Sequence, residues 1–140
     1  MSADVFRRFN VQVRGKGPDT LVFAHGFGCD QRMWRFVAPR FETTHRVVLF
    51  DLVGSGGSDL AAYDPQRHAS LQGYADDLIE LVEALGGGRV DYVGHSASSV
   101  IGILASIARP ELFRRLLLVS VAYLPAVLGL VGVTAWTLHL

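Results

Sequence analysis

A serine that could act as a nucleophile lies between two apolar stretches, in the segment Gly94-His95-Ser96-Ala97-Ser98. The residues from Val90 have the composition of a buried β-strand, and residues 100–107 are typical of a buried helix. No residues remain for a loop between them, so the chain must turn sharply at the serine. Such a turn exposes the serine hydroxyl at the carboxyl end of the strand, where the backbone amide of Ala97 also points. Ser96 is therefore the predicted nucleophile.

The segment departs from the usual G-x-S-x-G pattern because Ser98 stands where the second glycine is expected. That glycine lets the helix approach the strand closely, and serine is small enough for the same turn. The alternative interpretation is that Ser96 only caps the following helix, as serines often do. A short motif does not decide between these interpretations, so the surrounding elements must be considered.

A second polar loop could complete the site. Residues 21–24 form a short apolar run that predicts a strand covered on both faces, and His25-Gly26-Phe27-Gly28 follows it directly. This loop is flexible enough to turn the Phe27 amide toward Ser96. With the Ala97 amide it would form an oxyanion hole, in which each donor lowers the barrier by about 3–4 kcal/mol. The alternative is a simple turn, but its occurrence together with the serine motif favours the oxyanion hole.

Predicted strands and helices alternate along the chain. Their order indicates an α/β fold, a mostly parallel sheet with helices on both faces and right-handed crossovers. Ligands bind such sheets beyond the carboxyl ends of the strands, where the loops after Ala24, Phe50 and Val93 should meet. Three further strands are predicted, at 6–13, 47–50 and 116–120. A helix capped by Asp30 is predicted to end near Pro39, with one apolar face formed by Met33, Trp34, Val37 and Ala38.

A second helix is predicted from Ser70 to Gly86. Its apolar face is formed by Leu71, Tyr74, Ala75, Leu78, Val82 and Leu85, and its acidic residues lie mostly opposite, at Asp76, Asp77, Glu80 and Glu83.

The glycine-rich loop after Phe50 lacks both G-K-[ST] and G-x-G-x-x-G, so nucleotide binding is not expected. Asp51 and Asp59 are predicted to hold this loop through hydrogen bonds to backbone amides. The sequence shows no other motif for a cofactor, and none is expected.

The histidines are predicted to have structural or solvated roles. His95 is a poor base for Ser96, since adjacent residues in a sharp turn point apart, and His25 should be a hydrogen-bonded structural imidazole. His45 and His68 lie in connections and are expected to be solvated. No histidine pair has the spacing of a zinc-binding helix, so no metal site is expected. Cys29 is expected to be a small buried residue.

Composition excludes several classes of protein. The 140 residues carry 13 basic and 13 acidic side chains, and the length suits about one domain. The arginines are scattered without a basic stripe, which argues against nucleic-acid binding. A single cysteine and an N-terminus without an apolar signal segment predict a cytoplasmic protein.

Three segments together resemble the α/β-hydrolase superfamily: residues 25–34, 51–59 and 93–113. They resemble most specifically the family of the bacterial stress-response regulator RsbQ and the plant strigolactone and karrikin receptors, in which the position of Ser98 is often serine. The resemblance, from about Asn10 to Ser120, implies that Ser96 is the nucleophile and that Phe27 and Ala97 supply the oxyanion amides. Members have a mostly apolar pocket under a helical lid and hydrolyse small esters or butenolide-like lactones, some as signal receptors.

The catalytic triad of this superfamily follows the order Ser, then Asp or Glu, then His. Here the last acidic residue is Glu111 and the only later histidine is His139. We therefore expect that the lid, the last two strands, the catalytic acid and the catalytic histidine are missing. This chain alone should then be impaired, because an unassisted serine hydroxyl is a weak nucleophile.

Residues 1–120 are interpreted as the N-terminal part of a hydrolase core, and residues 121–140 as a divergent apolar tail such as a truncation or frameshift would produce. Residues 116–140 carry no charge and exceed the ~20 residues that span a bilayer. Their first five belong to a predicted strand, and Pro125, Gly129 and Gly132 interrupt the rest, so a membrane span is the less favoured alternative.

Three functions remain open from sequence. The first is a serine hydrolase that acts on small apolar esters or lactones. The second is a non-catalytic ligand-binding or signalling protein with a regulatory protein partner. The third is a non-functional fragment.

Overall fold

The computed structural model describes residues 2–121, which form a five-stranded sheet with the three α-helices on one face and short 3-10 helices on the other. The strand order is β1-β3-β2-β4-β5, and only β1 is antiparallel to its neighbour, so the predicted mostly parallel α/β fold is confirmed. The strands are β1 Gln12–Arg14, β2 Asp19–Ala24, β3 His45–Leu49, β4 Val90–His95 and β5 Phe113–Val119, and the α-helices are α1 Ser2–Arg8, α2 Leu71–Leu85 and α3 Ala97–Ala108.

Side chains alternate between the two faces of the central strands. Val22 and Val48 lie with the three α-helices in the larger core, whereas Phe23 and Val47 lie with Trp34 in the smaller core on the opposite face. Both sets are buried, which explains why the central strands are continuous apolar runs in the sequence.

Two predicted elements differ from the structure. The strand predicted at 6–13 is wrong, because the chain is helical at Ser2–Arg8 and extended only at Gln12–Arg14. Val5 and Phe9 are four residues apart and both are buried, which is the spacing of one helix face. Burial of these two side chains favours a helix over the strand that the apolar–polar alternation at 6–13 predicts.

The helix predicted after Asp30 is two short 3-10 helices, Gln31–Trp34 and Ala38–Phe41. Asp30 does cap the first of them, accepting a hydrogen bond from the Arg32 amide at 2.8 Å. The proline that was expected to end one helix instead lies in the first turn of the second. Proline cannot donate a backbone hydrogen bond, so it suits that first turn and interrupts a longer helix.

Helix α2 is confirmed, and Gly86 ends it with φ +66°. Its predicted apolar face lies in the core, but Asp77 does not lie on an exposed acidic face. This residue is buried and accepts hydrogen bonds from Arg67 at 2.6 Å and 3.0 Å. A charged side chain is tolerated inside because a partner compensates its lost hydration.

A close approach of α3 to β4 makes Gly102 essential. A Cβ atom at this position would lie 2.3 Å from Cε1 of Tyr92, whose side chain is fully buried. We expect Gly102→Ala to lower the free energy of unfolding by about 1–3 kcal/mol through overpacking, despite the better helix propensity of alanine. Urea titration monitored by circular dichroism would measure this, with the exposed helix residue Ile107→Ala as the control. A Gly102→Ala protein as stable as the parent would contradict the prediction.

An arginine on β5 joins the starts of three strands. The Arg114 guanidinium donates to Asp91 at 2.6 Å and 2.9 Å and to Asp19 at 2.8 Å. This guanidinium holds the pKa of both carboxyls below the ordinary value of 3.8. A carboxyl whose pKa is lowered on folding stabilises the protein fully above its unfolded pKa and loses that contribution as pH falls toward the native value.

Arg114→Met should therefore weaken the acid dependence of stability. We expect the parent protein to lose stability steeply below about pH 4, and the variant to lose less over the same range while being less stable at neutral pH. Urea midpoints measured at a series of pH values would show this, with Arg40→Met as the control, since Arg40 does not contribute to the pKa of either carboxyl. Parallel curves for parent and Arg114→Met would disprove the assignment.

No helix within residues 2–121 is long and apolar enough to cross a membrane. The predicted apolar tail lies outside the described residues from position 122 onward, as does His139. The boundary proposed at residue 120 stays a prediction.

Candidate active site

The sharp turn predicted at Ser96 is present. Strand β4 ends at His95, α3 begins at Ala97, and the single residue between them has φ +56° and ψ −117°. Residues other than glycine rarely adopt positive φ, which costs about 1–3 kcal/mol and persists only where the surroundings enforce it. The half-buried Ser96 side chain makes no capping hydrogen bond to α3, so the alternative role as a helix cap is not supported.

Several hydrogen bonds enforce this strained turn. The Ser96 amide donates to the Val119 carbonyl at 2.9 Å, and the buried Tyr92 hydroxyl donates to the Ser98 carbonyl at 2.8 Å. Gly94 completes the turn, since a Cβ there would lie 2.4 Å from the Ser98 carbonyl oxygen. The turn is therefore held by contacts with β5, with Tyr92 of β4 and within the first turn of α3.

The loop after β2 lies directly against the turn. Ala24 and Gly94 are register partners at the ends of β2 and β4. A Cβ atom at Gly26 would lie 3.1 Å from Cβ of Ser96 and 2.9 Å from Nδ1 of His95. After β2 the chain continues to β3, toward one edge of the sheet, and after β4 it continues to β5, toward the other edge. Ligands of open α/β sheets bind at this kind of switch point.

The two predicted oxyanion donors have no hydrogen-bond acceptor among residues 2–121. Within the described part of the chain, neither the Phe27 amide nor the Ala97 amide donates a hydrogen bond to another group. The Ala97 amide also lies at the N-terminus of α3, where the helix dipole favours negative charge. The Phe27 side chain is 55% exposed, and its ring contacts that of Tyr74 with centroids 5.6 Å apart.

His25 has the predicted structural role. Its ring is fully buried, with Nδ1 2.8 Å from the Gly26 carbonyl oxygen and Nε2 accepting from the Leu52 amide at 3.0 Å. Since Nε2 accepts, the proton is assigned to Nδ1, which donates to the carbonyl. Both nitrogens are occupied, so His25 cannot accept a proton from Ser96 in this arrangement.

His95 also makes no hydrogen bond to Ser96. Its Nδ1 is buried beside Gly26 and lacks a hydrogen-bond partner among residues 2–121. The sequence-based prediction that this neighbour is a poor base is consistent with that placement.

Three other predictions are corrected or refined. His68 is buried rather than solvated, with Nε2 2.9 Å from Asp77 Oδ2, because the connection before α2 folds back onto that helix. Cys29 is exposed rather than buried, because it lies at the tip of the loop after β2. His45 is half-buried at the start of β3 rather than in a connection. The available signal was the position of Asp77, three residues after Tyr74 and four before Leu81, which places it on the buried side of α2.

Asp51 holds the glycine-rich loop after β3 through hydrogen bonds to backbone amides, as predicted. Its buried carboxylate accepts hydrogen bonds from the Gln31 amide at 2.8 Å, the Asn10 side chain at 2.8 Å and the Gly57 amide at 2.9 Å. Asp59 accepts from the Ala61 amide at 3.0 Å, also as predicted. The Asp51 bonds join three loops of the carboxyl-end rim of the sheet.

A cavity of about 480 Å³ opens beside the loop after β2. Its lining is mainly aromatic and aliphatic, consisting of Phe27, Val53, Gly54, Ser55, Leu60, Tyr63 and Tyr74. In residues 2–121 no group of three or more His, Cys, Asp or Glu side chains could hold a metal ion. Among residues 2–121 the candidate site therefore comprises the strained serine and two amides without a hydrogen-bond partner. Phe27 links it to the apolar cavity, which Ser96 itself does not line.

A family model described as the alpha/beta hydrolase family matches residues 21–139. The chain belongs to the alpha/beta hydrolase family. This alpha/beta hydrolase is 45% identical over 120 residues to a strigolactone esterase of Pisum sativum, covering 86% of this chain and 45% of that protein. It is also 45% identical over 111 residues to a karrikin insensitive 2 receptor of Petunia hybrida, covering 79% of this chain and 41% of the receptor.

Two solved structures superpose on this chain. A hydrolase from Oleispira antarctica superposes with a TM-score of 0.81 at 43% identity, covering 84% of this chain and 43% of that protein. An enzyme described as degrading N-acyl homoserine lactones superposes with a TM-score of 0.69 at 28% identity, covering 77% of this chain and 40% of that enzyme. The chain thus spans less than half the length of these relatives.

Proposed function

We propose that this chain belongs to a serine hydrolase of small apolar esters or lactones, with Ser96 as the nucleophile. The observation that carries the proposal is the backbone of Ser96, held at φ +56° between β4 and the N-terminus of α3. A fold maintains such strain at a half-exposed polar residue where the residue has a use.

In the proposed reaction the Ser96 hydroxyl attacks the carbonyl carbon of the ester and passes its proton to a base. The carbonyl oxygen becomes an oxyanion that accepts hydrogen bonds from the Phe27 and Ala97 amides. Collapse of this intermediate expels the alcohol, or opens the lactone ring, and leaves an acyl group on the serine. Water then cleaves the acyl-serine ester, and no cofactor is needed.

The proposal places the base outside residues 2–121. Across residues 2–121 no imidazole hydrogen-bonds the Ser96 hydroxyl, and the His25 nitrogens are both occupied. These residues therefore supply the nucleophile and the oxyanion donors, and we expect residual rather than full turnover from them alone.

The proposed substrate class rests on the cavity and on the relatives. The apolar lining around Phe27 and Tyr74 suits a small apolar acyl group or ring. Two relatives are named as an esterase of strigolactones and as an enzyme that degrades acyl homoserine lactones. A cytoplasmic location and a regulatory protein partner are further parts of this proposal, based on the sequence and the family resemblance.

Covalent labelling tests the nucleophile directly. The folded chain is incubated with a fluorophosphonate, and the adduct is located by peptide mass spectrometry. We expect one adduct, at Ser96, since Ser98 and Ser99 are fully buried, and none after prior denaturation in urea. Because no base is present among residues 2–121, labelling should be slow, and its rate is compared with that of the urea-denatured chain. An adduct on another serine, or labelling of Ser96 no faster in the folded chain than in the denatured one, would refute the proposal.

A non-catalytic ligand-binding function is the second candidate, favoured by the receptor relatives and by the lack of a base among residues 2–121. A thermal-shift titration with a small butenolide lactone, combined with product analysis, separates the two functions. Stabilisation without ring opening supports binding alone, whereas ring opening that depends on Ser96 supports the hydrolase.

A further inference from the structure

We propose that Ser98 is a positioning residue that ties the oxyanion loop to the nucleophile turn. This inference deepens the proposed function and rests on it. Ser98 lies in the first turn of α3 and is fully buried, and its hydroxyl donates a hydrogen bond to the carbonyl oxygen of His25. That carbonyl belongs to the His25–Gly26 peptide, which immediately precedes the peptide that carries the Phe27 amide.

The hydrogen bond connects two rigid supports. On one side, the Ser98 backbone is held by the Tyr92 hydroxyl at 2.8 Å. On the other, the His25 ring is held by the Leu52 amide at 3.0 Å and by the Gly26 carbonyl. The Phe27 amide has no hydrogen bond of its own within the described ranges, so its position depends on the residues immediately before it.

Glycine, which the usual motif places here, has no hydroxyl and could not make this bond. The serine therefore does more than fit the space. It sets the distance between the loop that carries the Phe27 amide and the turn that carries Ser96. Displacement of a catalytic group by about 1 Å can reduce a rate about 100-fold, so such a link has a measurable consequence.

The test compares Ser98→Ala and Ser98→Gly with Ser106→Ala in the full chain. Ser106 is a matched control on the same helix, because its hydroxyl also donates to a backbone carbonyl, that of Ile103 at 2.9 Å. We expect the maximal rate of fluorophosphonate labelling to fall about 10- to 100-fold in both Ser98 variants, with an unchanged concentration for half-maximal rate, and to fall less than about twofold in Ser106→Ala.

Amide hydrogen exchange gives a second readout that does not require reactivity. Loss of the Ser98 hydroxyl should speed exchange locally in the loop at residues 26–29, with little change in α2 or in β3. Equal labelling and equal loop exchange in Ser98→Ala and parent would overturn the inference, as would a uniform rise in exchange across the sheet. If the parent chain is not labelled at Ser96, the proposed function fails, and loop exchange alone then decides whether Ser98 positions the loop.

Discussion

Ser96→Ala is expected to reduce fluorophosphonate labelling of the folded chain at least about 100-fold, because the oxygen that forms the phosphonate ester is removed. The fold should persist, since the side chain makes no capping bond and the turn is held by backbone contacts. Labelling is measured by intact-protein mass spectrometry over time, with circular dichroism to establish that both proteins are folded. Undiminished labelling of Ser96→Ala would place the reactive group elsewhere.

A stability measurement sharpens this prediction. Ser96→Gly should also lose labelling, yet it should unfold at higher urea concentration than Ser96→Ala. The residue has φ +56°, which glycine adopts without the steric cost that alanine retains, a difference of about 1 kcal/mol or more. A turn that is more stable with glycine than with alanine penalises any residue that carries a Cβ atom, as Ser96 does, and such strain is typical of functional sites. Equal stability of the two variants would show that the turn is not strained.

The second large effect is expected for Asp51→Ala, which should lower the free energy of unfolding by about 3–5 kcal/mol. The carboxylate is 1% exposed and accepts three hydrogen bonds from three different segments of chain. Its removal leaves the buried Gln31 amide without an acceptor, and this loss costs more than the bond itself contributes, while the more accessible Gly57 amide loses its acceptor as well. Urea unfolding followed by circular dichroism measures the change.

Two further variants test whether Asp51 links three segments of chain or makes only an ordinary loop contact. Asp51→Asn keeps one acceptor oxygen and the volume, so it should cost less than Asp51→Ala. Asp59→Ala removes a cap of a surface turn and should cost only about 1 kcal/mol. If Asp51→Ala and Asp59→Ala were equally stable, the proposed linkage of the three loops through Asp51 would be wrong.

Local patterns were sufficient for the parts of the site that lie within one stretch of chain. The apolar residues from Val90 and from 100–107 leave no loop between strand and helix, so the turn at Ser96 follows from chain connectivity. Helix α2 is equally local, because its apolar spacing and Gly86 mark its face and its end. The mostly parallel sheet follows from the alternation of these elements.

Predictions failed where a distant partner determines the outcome. The first residues are helical because Val5 and Phe9 reach a core built from later elements, a contact that alternation in residues 6–13 does not reveal. His68 is buried because Asp77 and the rings of Tyr63 and Tyr74 surround it, with centroids 5.3 Å and 4.8 Å away. Burial depends on packing between elements, and one-dimensional spacing records it only in part.

The sequence by itself determined the α/β class, the serine in a strand-to-helix turn and the acidic residues that hold the neighbouring loop, since each depends on nearby residues. Only the tertiary structure decided that Gly26 lies against Ser96 and that the Ser98 hydroxyl reaches the His25 carbonyl. Those contacts join residues about 70 positions apart, and they exist because the parallel pairing of β2 with β4 brings two strand ends to the same edge of the sheet.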